Sequence, residues 1–310
     1  MAKDNLGTKS RESLLWDLGG TMVRQAAVVL VSIVLARILG PEEFGVIGMA
    51  MVFVSLSQIF VDVGFTEGLV QQKEVSDTAW SSVFYVNILI SLVLGGAIYL
   101  SAPAIGSFFN NAKVGQVIRY LVLVLPIAAI GKVHAAQLVK YLNFKALSLR
   151  DIGSSIAGGI IGILAALNDQ GVYSLVWQQV STATFGTVLL WIGTGWKPRL
   201  VFSMDEIKKI FSFSSFVFFD RLLQQFFNKV DTIFIGKFFS PAILGFYSRA
   251  ESFKSLVNNY STKSIAKIAF PLFSAIQDDE KRFNDVFIQI ISALTILTTT
   301  MVGVLFFLAD

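Results

Sequence analysis

The residues best suited to ligand binding are charged side chains inside long apolar runs. Arg24 lies about six residues into the first run, Arg221 lies inside the seventh run, and Arg249 lies inside the eighth. Placing a charge in a bilayer is costly, so such a residue usually faces a water-filled cavity or a partner. Cations in a cavity bind anionic groups, and nearby hydroxyls and amides bind polar groups. For Arg24 the alternative is a side chain that extends to the nearby membrane surface.

The eighth run carries further cations at helical spacing. Its polar positions step by three or four residues, which places them on one face of a helix. We expect this face to line a cavity, with Lys263 deep in the membrane. Lys267 lies near the end of the run and is equally well explained as an anchor at the membrane surface. The polar positions are Ser252, Ser255, Asn259, Lys263 and Lys267.

Carboxylates also occur inside the apolar runs. Asp62 and Glu67 in the second run are predicted to pair with Arg24, which would neutralise the charges. The alternative is ion coupling, in which a buried carboxylate takes up H⁺ or Na⁺ and drives exchange. Asp231 in the seventh run is predicted to pair with Lys229 or with a neighbouring helix. The polar stripe of the second run consists of Ser55, Gln58 and Asp62, with Glu67 about a turn later.

The composition excludes several other kinds of site. The chain has 310 residues, of which 54% are hydrophobic and 15% charged, and its mean hydropathy is +0.68. Soluble domains have about 25% charged residues, so a soluble enzyme is nearly excluded. There is no cysteine and one histidine, which excludes disulfides, thiol catalysis and cysteine-ligated or multi-histidine metal sites. We therefore predict no metal and no cofactor apart from the H⁺ or Na⁺ of the ion-coupling hypothesis.

The apolar runs predict an all-α polytopic membrane protein with about nine transmembrane helices. A membrane-spanning helix needs about 20 mostly apolar residues. Nine runs approach that length, of which the fifth is short and the eighth is polar. The runs cover residues 18–39, 44–70, 79–102, 117–139, 152–167, 172–193, 210–239, 242–273 and 283–308.

Basic residues near the ends of the runs predict the orientation. Thirteen Lys and Arg residues lie on one side and four on the other, and cytoplasmic loops carry the excess of positive charge. The N-terminus is therefore expected to be cytoplasmic. The first run is long and lacks a cleavage site, which favours a retained helix over a signal peptide.

An internal repeat occurs at an offset of 200 residues. The segment ARILGPEEFG at 36–45 aligns with GKFFSPAILG at 236–245, and in each segment Pro separates two helices. These two turns, which we call the elbows, follow the first and the seventh run. Their positions predict two parallel repeats related by an axis along the membrane normal. The predicted domains are a six-helix N-terminal lobe over 1–198, a cytoplasmic linker over 199–209, and the first three helices of a second lobe over 210–310.

The first elbow and its surroundings resemble a known family. A helix rich in Gly, Gln and Arg leads into ARILGPEEFG, and the next helix ends in VDVGFTEGLVQ at 61–71. This pattern is similar to that of the polysaccharide flippases, in particular the Wzx-like O-antigen and colanic acid exporters of the multidrug/oligosaccharidyl-lipid/polysaccharide export superfamily. The likeness covers essentially the whole chain and is strongest over 15–72. It implies two helical lobes around a central cavity in the bacterial inner membrane.

The resemblance also implies a substrate and a mechanism. Relatives of this kind move undecaprenyl-pyrophosphate-linked oligosaccharides from the cytoplasmic to the periplasmic leaflet, and alternating access of the two lobes is expected. The expected partners are this lipid-linked oligosaccharide, membrane lipids and a polysaccharide polymerase complex, with no nucleic acid. Since the chain ends after the ninth run, we expect the second lobe to be incomplete. The substrate-binding residues implied are Arg24, Arg221, Arg249, Asn259, Lys263 and Lys267.

Two other functions are alternatives to the flippase hypothesis. The first is an ion-coupled multidrug or cation antiporter of the related multidrug-extrusion type. Five candidate cations argue against it, because they repel a cationic substrate. The second is a membrane enzyme that acts on the same lipid-linked sugars. The loops are short and contain no P-loop and no HExxH motif, so we expect no enzymatic activity.

Overall fold

The computed structural model describes residues 2–258 and 280–307. These residues form eleven helices and no strand, which confirms the predicted all-α fold class. The helices are α1 (Ala2–Ile38), α2 (Pro41–Asp62), α3 (Phe65–Gln71), α4 (Asp77–Phe108), α5 (Ala112–Leu121), α6 (Val124–Lys140), α7 (Phe144–Leu167), α8 (Val172–Thr194), α9 (Met204–Phe238), α10 (Pro241–Asn258) and α11 (Glu280–Phe307).

Five segments of the described residues are long and apolar enough to cross a membrane. They correspond to the first five predicted runs, and the chain is therefore a multi-pass membrane protein. Helices also occur at the sixth, seventh and ninth runs, whereas the eighth extends beyond the described residues. The number of nine spans stays a prediction. The five segments are Gly19–Ile38, Pro41–Gln71, Asp77–Phe108, Ala112–Lys140 and Phe144–Leu167.

The two elbows have the same local structure at an offset of 200 residues. α1 and α9 end at Ile38 and Phe238, and the helices that follow begin with Pro41 and Pro241. Proline is favoured at the first position of a helix, where its missing N–H group is not needed. In both elbows the N–H two residues before the proline donates to the carbonyl four residues earlier, at 2.8 Å in the first elbow and 2.9 Å in the second.

The chain divides into two compact units, Met1–Gly245 and Phe246–Asp310. The core of the first unit is formed where α3, α4, α6 and the first turns of α9 meet. Phe65, Trp80 and Val133 are almost fully buried there, together with Ile207 and Ile210 of α9. In the second unit, Lys254 and Glu251 of α10 form an ion pair at 3.1 Å.

Residues 199–209 begin as an extended segment and continue into the first turns of α9. The N–H of Arg199 donates to the hydroxyl of Ser81 at 3.0 Å, and its guanidinium pairs with Asp77 at 2.9 Å. The N–H of Ser203 donates to the hydroxyl of Ser82 at 2.9 Å. These contacts hold the start of α9 against the first turn of α4, so the position of α9 is tied to the rest of the first unit.

Small residues let α7 pack closely against two helices. A side chain on Gly158 would overlap the hydroxyl of Thr182 on α8, and one on Gly159 would overlap Val31 on α1. Close approach through small residues is a common way of packing helices in membranes. α7 therefore ties α1 and α8 together within the first unit.

Candidate functional site

A charged pocket lies where α2, α6 and α9 meet. Its volume is about 230 Å³, which is below the roughly 300–1,000 Å³ of pockets that enclose a drug-sized molecule. It is therefore suited to one charged group of a larger ligand. All of its lining residues belong to the first unit. They are Ser55, Gln58, Ile59, Asp62, Gly64, Lys132, Arg221 and Gln225.

Asp62 is the buried carboxylate of this pocket. It is the last residue of α2 and is 5% exposed. Its Oδ1 accepts hydrogen bonds from the N–H of Thr66 at 3.1 Å and from the Thr66 hydroxyl at 2.7 Å. Its Oδ2 lies 3.8 Å from Nζ of Lys132 on α6. These contacts compensate the burial of a charge, which would otherwise be costly.

The turn after Asp62 sets the position of the next carboxylate, that of Glu67. Val63 and Gly64 both have positive φ angles, 44° and 78°. This region suits glycine but is unfavourable for a β-branched residue such as valine. The turn ends α2 and starts α3, which carries Glu67. Backbone strain of this kind often marks functional sites.

Glu67 and Arg221 form the second ion pair of the site. Oε1 of Glu67 accepts a hydrogen bond from Nη2 of Arg221 at 2.6 Å, which joins α3 to the middle of α9. Both side chains are partly exposed, at 33% and 43%. The second carboxylate oxygen of Glu67 is buried and has no hydrogen-bond partner among the described residues. The ion pair is therefore accessible to solvent, and the hydrogen-bonding capacity of Glu67 is only partly used within the described residues.

The pocket is electrically balanced and polar. Lys132 and Arg221 supply two positive charges, and Asp62 and Glu67 supply two negative charges. An anion therefore binds strongly only if a carboxylate releases its cation. The Glu67–Arg221 pair is partly exposed, and such pairs contribute only about 0–1 kcal/mol, so a multiply charged anion can displace Glu67 at little cost.

The predicted partner of the carboxylates was wrong. Within residues 2–258 and 280–307, Asp62 pairs with Lys132 and Glu67 pairs with Arg221. Arg24 is half-buried on α1 and does not line the pocket. The sequence shows which helices carry charges but not which helices are neighbours. In the structure, the helices next to the Asp62 end of α2 are α6 and α9.

The remaining predicted site residues lie elsewhere. Asp231 lines a separate apolar groove of about 620 Å³ beside Phe234 and Phe238. Arg249 is half-buried on the part of α10 that belongs to the second unit. Three predicted residues lie outside the described part of the chain: Asn259, Lys263 and Lys267.

Lys132 and Gln225 line the site but were not predicted from the sequence. Lys132 lies inside the fourth apolar run, so the rule that selected Arg24 and Arg221 also applies to it. Gln225 lies one turn after Arg221 and is the repeat equivalent of Gln25. Among the described residues, no cluster of three or more His, Asp or Glu side chains is placed to hold a metal ion.

Three curated relatives of the chain illustrate its similarities to known bacterial proteins. The chain is 27% identical over 278 residues to the succinoglycan biosynthesis transport protein ExoT of Rhizobium meliloti, which covers 89% of this chain and 56% of that protein. It is 26% identical to the teichuronic acid biosynthesis protein TuaB of Bacillus subtilis, over 78% of this chain and 50% of that protein. It is 21% identical to the lipopolysaccharide biosynthesis protein WzxC of Escherichia coli, over 94% of this chain and 60% of that protein. The chain thus spans between half and three fifths of the length of these relatives.

A family model gives the broader relationship. The model described as "Polysaccharide biosynthesis protein" matches residues 34–310, which is most of the chain. The match includes both elbows and all residues of the charged pocket. The resemblance expected from the sequence is thereby confirmed, and the chain belongs to the polysaccharide biosynthesis protein family.

Proposed function

We propose that this protein takes part in flipping undecaprenyl-pyrophosphate-linked oligosaccharides across the bacterial inner membrane, with the N-terminus in the cytoplasm. The observation that carries the proposal is the charged pocket within a bundle of apolar helices. The family and its relatives support a role in polysaccharide export. The protein acts as a transporter, without a chemical step on the sugar.

The diphosphate of the lipid is the group that suits the pocket. Arg221 offers a planar guanidinium that binds phosphate oxygens in pairs, and Lys132 offers a compact point charge. Ser55, Gln58 and Gln225 supply hydroxyl and amide groups beside them. When the diphosphate binds, it replaces Glu67 as the partner of Arg221, because a diphosphate carries more negative charge than one carboxylate.

The movement that follows is alternating access of the two predicted lobes, 1–198 and 210–310. Arg221 lies on the first helix after the predicted linker, whereas Asp62, Glu67 and Lys132 lie in the N-terminal lobe. Displacement of Glu67 by the diphosphate therefore weakens a contact between the two lobes. In the proposed cycle this release precedes opening towards the other leaflet, where a polymerase complex consumes the cargo.

The further residues implied by the family resemblance belong to the same proposal. Arg249, Asn259, Lys263 and Lys267 extend the cationic path along the eighth run, and Arg24 receives the diphosphate near the cytoplasmic surface. Asp62 and Asp231 maintain charge balance, and coupling to H⁺ or Na⁺ through Asp62 is the alternative role for a buried carboxylate.

The test is transbilayer movement of a fluorescent undecaprenyl-pyrophosphate oligosaccharide in proteoliposomes, using the complete protein that the gene encodes. Arg221→Gln and Lys132→Gln should each lower the rate at least tenfold. Arg37→Gln is the matched control, because Arg37 is exposed at the first elbow and does not line the pocket. Normal rates for both pocket variants would refute the cationic site. Movement of a lipophilic cation, with no binding of the lipid-linked sugar, would favour the antiporter.

A further inference from the structure

A second polar groove lies at the other end of α4, where the chain turns into α5. Its volume is about 630 Å³, and it lies within the first unit. Its polar side chains come from the last turn of α4, the connecting turn and the first turns of α5. They are Ser107, Asn110, Asn111, Gln116 and Arg119.

Close packing of the two backbones forms the floor of this groove. A Cβ on Gly115 would lie 2.6 Å from the carbonyl oxygen of Ala102, so only glycine allows α5 to approach α4 this closely. Pro103 and Ala112 add a small apolar surface. The groove is therefore shallow and has a rigid floor, with polar side chains around an apolar patch.

The connecting turn is held by its own hydrogen bonds. The N–H of Asn111 donates to the carbonyl of Gly106 at 2.9 Å, and Oδ1 of Asn111 accepts from the N–H of Lys113 at 3.0 Å. Asn110 has a φ angle of 52°, a left-handed conformation that asparagine tolerates better than most residues. The positions of the two asparagines are thus fixed before any ligand arrives.

Several polar groups in the groove remain available. Within the described residues, the side chains of Asn110 and Gln116 form no hydrogen bonds, and Asn111 uses only its oxygen. The guanidinium of Arg119 lies 5.6 Å from the ring centre of Tyr99, which orients it without using its N–H donors in an ion pair. The hydroxyl of Ser107 donates to the carbonyl of Pro103 at 3.1 Å and can still accept a hydrogen bond. The groove therefore offers three amides, one hydroxyl acceptor and one cation.

The length of α4 places this groove outside the hydrocarbon of the membrane. Asp77 at the start of α4 pairs with Arg199, on the side where basic residues predominate. Ser107 follows 30 positions later, or about 45 Å along a helix. The hydrocarbon core is about 30 Å thick, which places the groove at the opposite surface, the one that the distribution of basic residues predicts to be outer.

We propose that this groove is a glycan-binding site on the outer side of the membrane, for sugar units of the exported oligosaccharide. The amides bind hydroxyl groups, the apolar patch of Pro103 and Ala112 contacts the C–H face of a sugar ring, and Arg119 binds the carboxylate of an acidic sugar. The choice of sugar as ligand rests on the proposed function. A single cation beside several amides suits a glycan better than a polyphosphate.

The test measures binding of lipid-free sugars to the complete protein in nanodiscs by isothermal titration calorimetry. The probes are tetragalacturonic acid and neutral maltotetraose. We expect the acidic tetrasaccharide to bind at least tenfold more tightly than the neutral one. The double variant Asn110→Gly with Gln116→Ala should weaken both sugars at least tenfold, because glycine keeps the left-handed turn while the amides are lost. Arg119→Gln should weaken only the acidic sugar.

Two controls separate this site from the charged pocket. Arg37→Gln removes another exposed arginine of the same outer side and should leave both affinities unchanged. Arg221→Gln should lower lipid transport without changing binding of the free sugars. Absence of sugar binding, or affinities unaffected by the double variant, would overturn the outer site whatever the transport assay shows. Sugar binding that depends on Asn110 and Gln116 would support it even if no lipid-linked sugar were transported.

Discussion

Gly45 of α2 packs directly against the backbone of Pro241 at the start of α10. A Cβ on Gly45 would overlap the Pro241 carbonyl oxygen, and the relation is reciprocal, since a Cβ on Gly245 would overlap the carbonyl oxygen of Pro41. These four residues are two repeat pairs at an offset of 200. The two elbows therefore contact each other through equivalent atoms, as expected for two copies related by a two-fold rotation.

The first prediction concerns this contact. Gly45→Ala should lower the thermal unfolding midpoint of the protein, because overpacking against a backbone that cannot move aside costs about 1–3 kcal/mol. Gly96→Ala is the control, since Gly96 lies in α4 with no atom within 4 Å of the added Cβ. The control should leave the midpoint unchanged or raise it. Equal losses in both variants would contradict the role of the elbow contact.

The second prediction separates the two roles of Arg221. Exchanging the charges, with Glu67→Arg and Arg221→Glu in one protein, restores an ion pair but moves the cation from α9 to α3. Each single variant should lower the unfolding midpoint slightly, because a half-exposed pair contributes only about 0–1 kcal/mol. The double variant should recover the midpoint while transport stays at least tenfold reduced. Recovery of transport would mean that the pair has only a structural role.

The third prediction concerns the hydrogen bonds of Asp62. Asp62→Asn keeps a carbonyl oxygen for Thr66 but removes the negative charge opposite Lys132. Thr66→Val keeps the charge but removes the hydroxyl donor. A hydrogen bond to a charged group contributes about 1.5–3 kcal/mol, and Asp62→Asn removes the charge from both hydrogen bonds to Thr66 as well as from the pair with Lys132. Thr66→Val removes only one of these hydrogen bonds. Asp62→Asn should therefore lower the unfolding midpoint more than Thr66→Val does, and the reverse order would contradict this account.

The fourth prediction concerns the turn after α2. Val63→Gly and Val63→Ala both lose the packing of the valine side chain against the core, but only glycine adopts the observed φ of 44° without the cost of about 1–3 kcal/mol that such backbone strain carries. Val63→Gly should therefore unfold at a higher midpoint than Val63→Ala. Gly64→Ala should lower the midpoint, since the φ is 78° and the added Cβ would lie 2.9 Å from the carbonyl oxygen of Ser214. Equal midpoints for Val63→Gly and Val63→Ala would show that the turn is not strained. Transport by Val63→Gly then tests whether the strain serves function.

The local features of the chain could be predicted from its sequence. The elbows were predicted because Pro and Gly have fixed consequences for the backbone wherever they occur. The stripe of Ser55, Gln58 and Asp62 was predicted because side chains three or four residues apart share a helix face. All three residues line the charged pocket. Arg221, which was a candidate on its charge alone because a cation inside an apolar run needs a partner or water, also lines this pocket.

The partners of these residues required the tertiary structure. The sequence suggested Arg24 for Asp62 and Glu67, but Lys132 and Arg221 occupy those places. Lys132 follows Asp62 by 70 positions, and Arg221 follows Glu67 by 154 positions. Such pairs are set by which helices pack together, and this depends on the shapes of many apolar side chains at once.

The sequence by itself determined the all-α fold class, the membrane environment, the family and the repeated elbows. Each of these follows from hydropathy or from local backbone rules that act within a few residues. The tertiary structure alone decided which charges pair, that the two elbows lie against each other, and that the end of α4 forms a polar groove with α5. These features depend on close approach between distant segments, where a single added methyl group at Gly45 or Gly115 would exclude the packing.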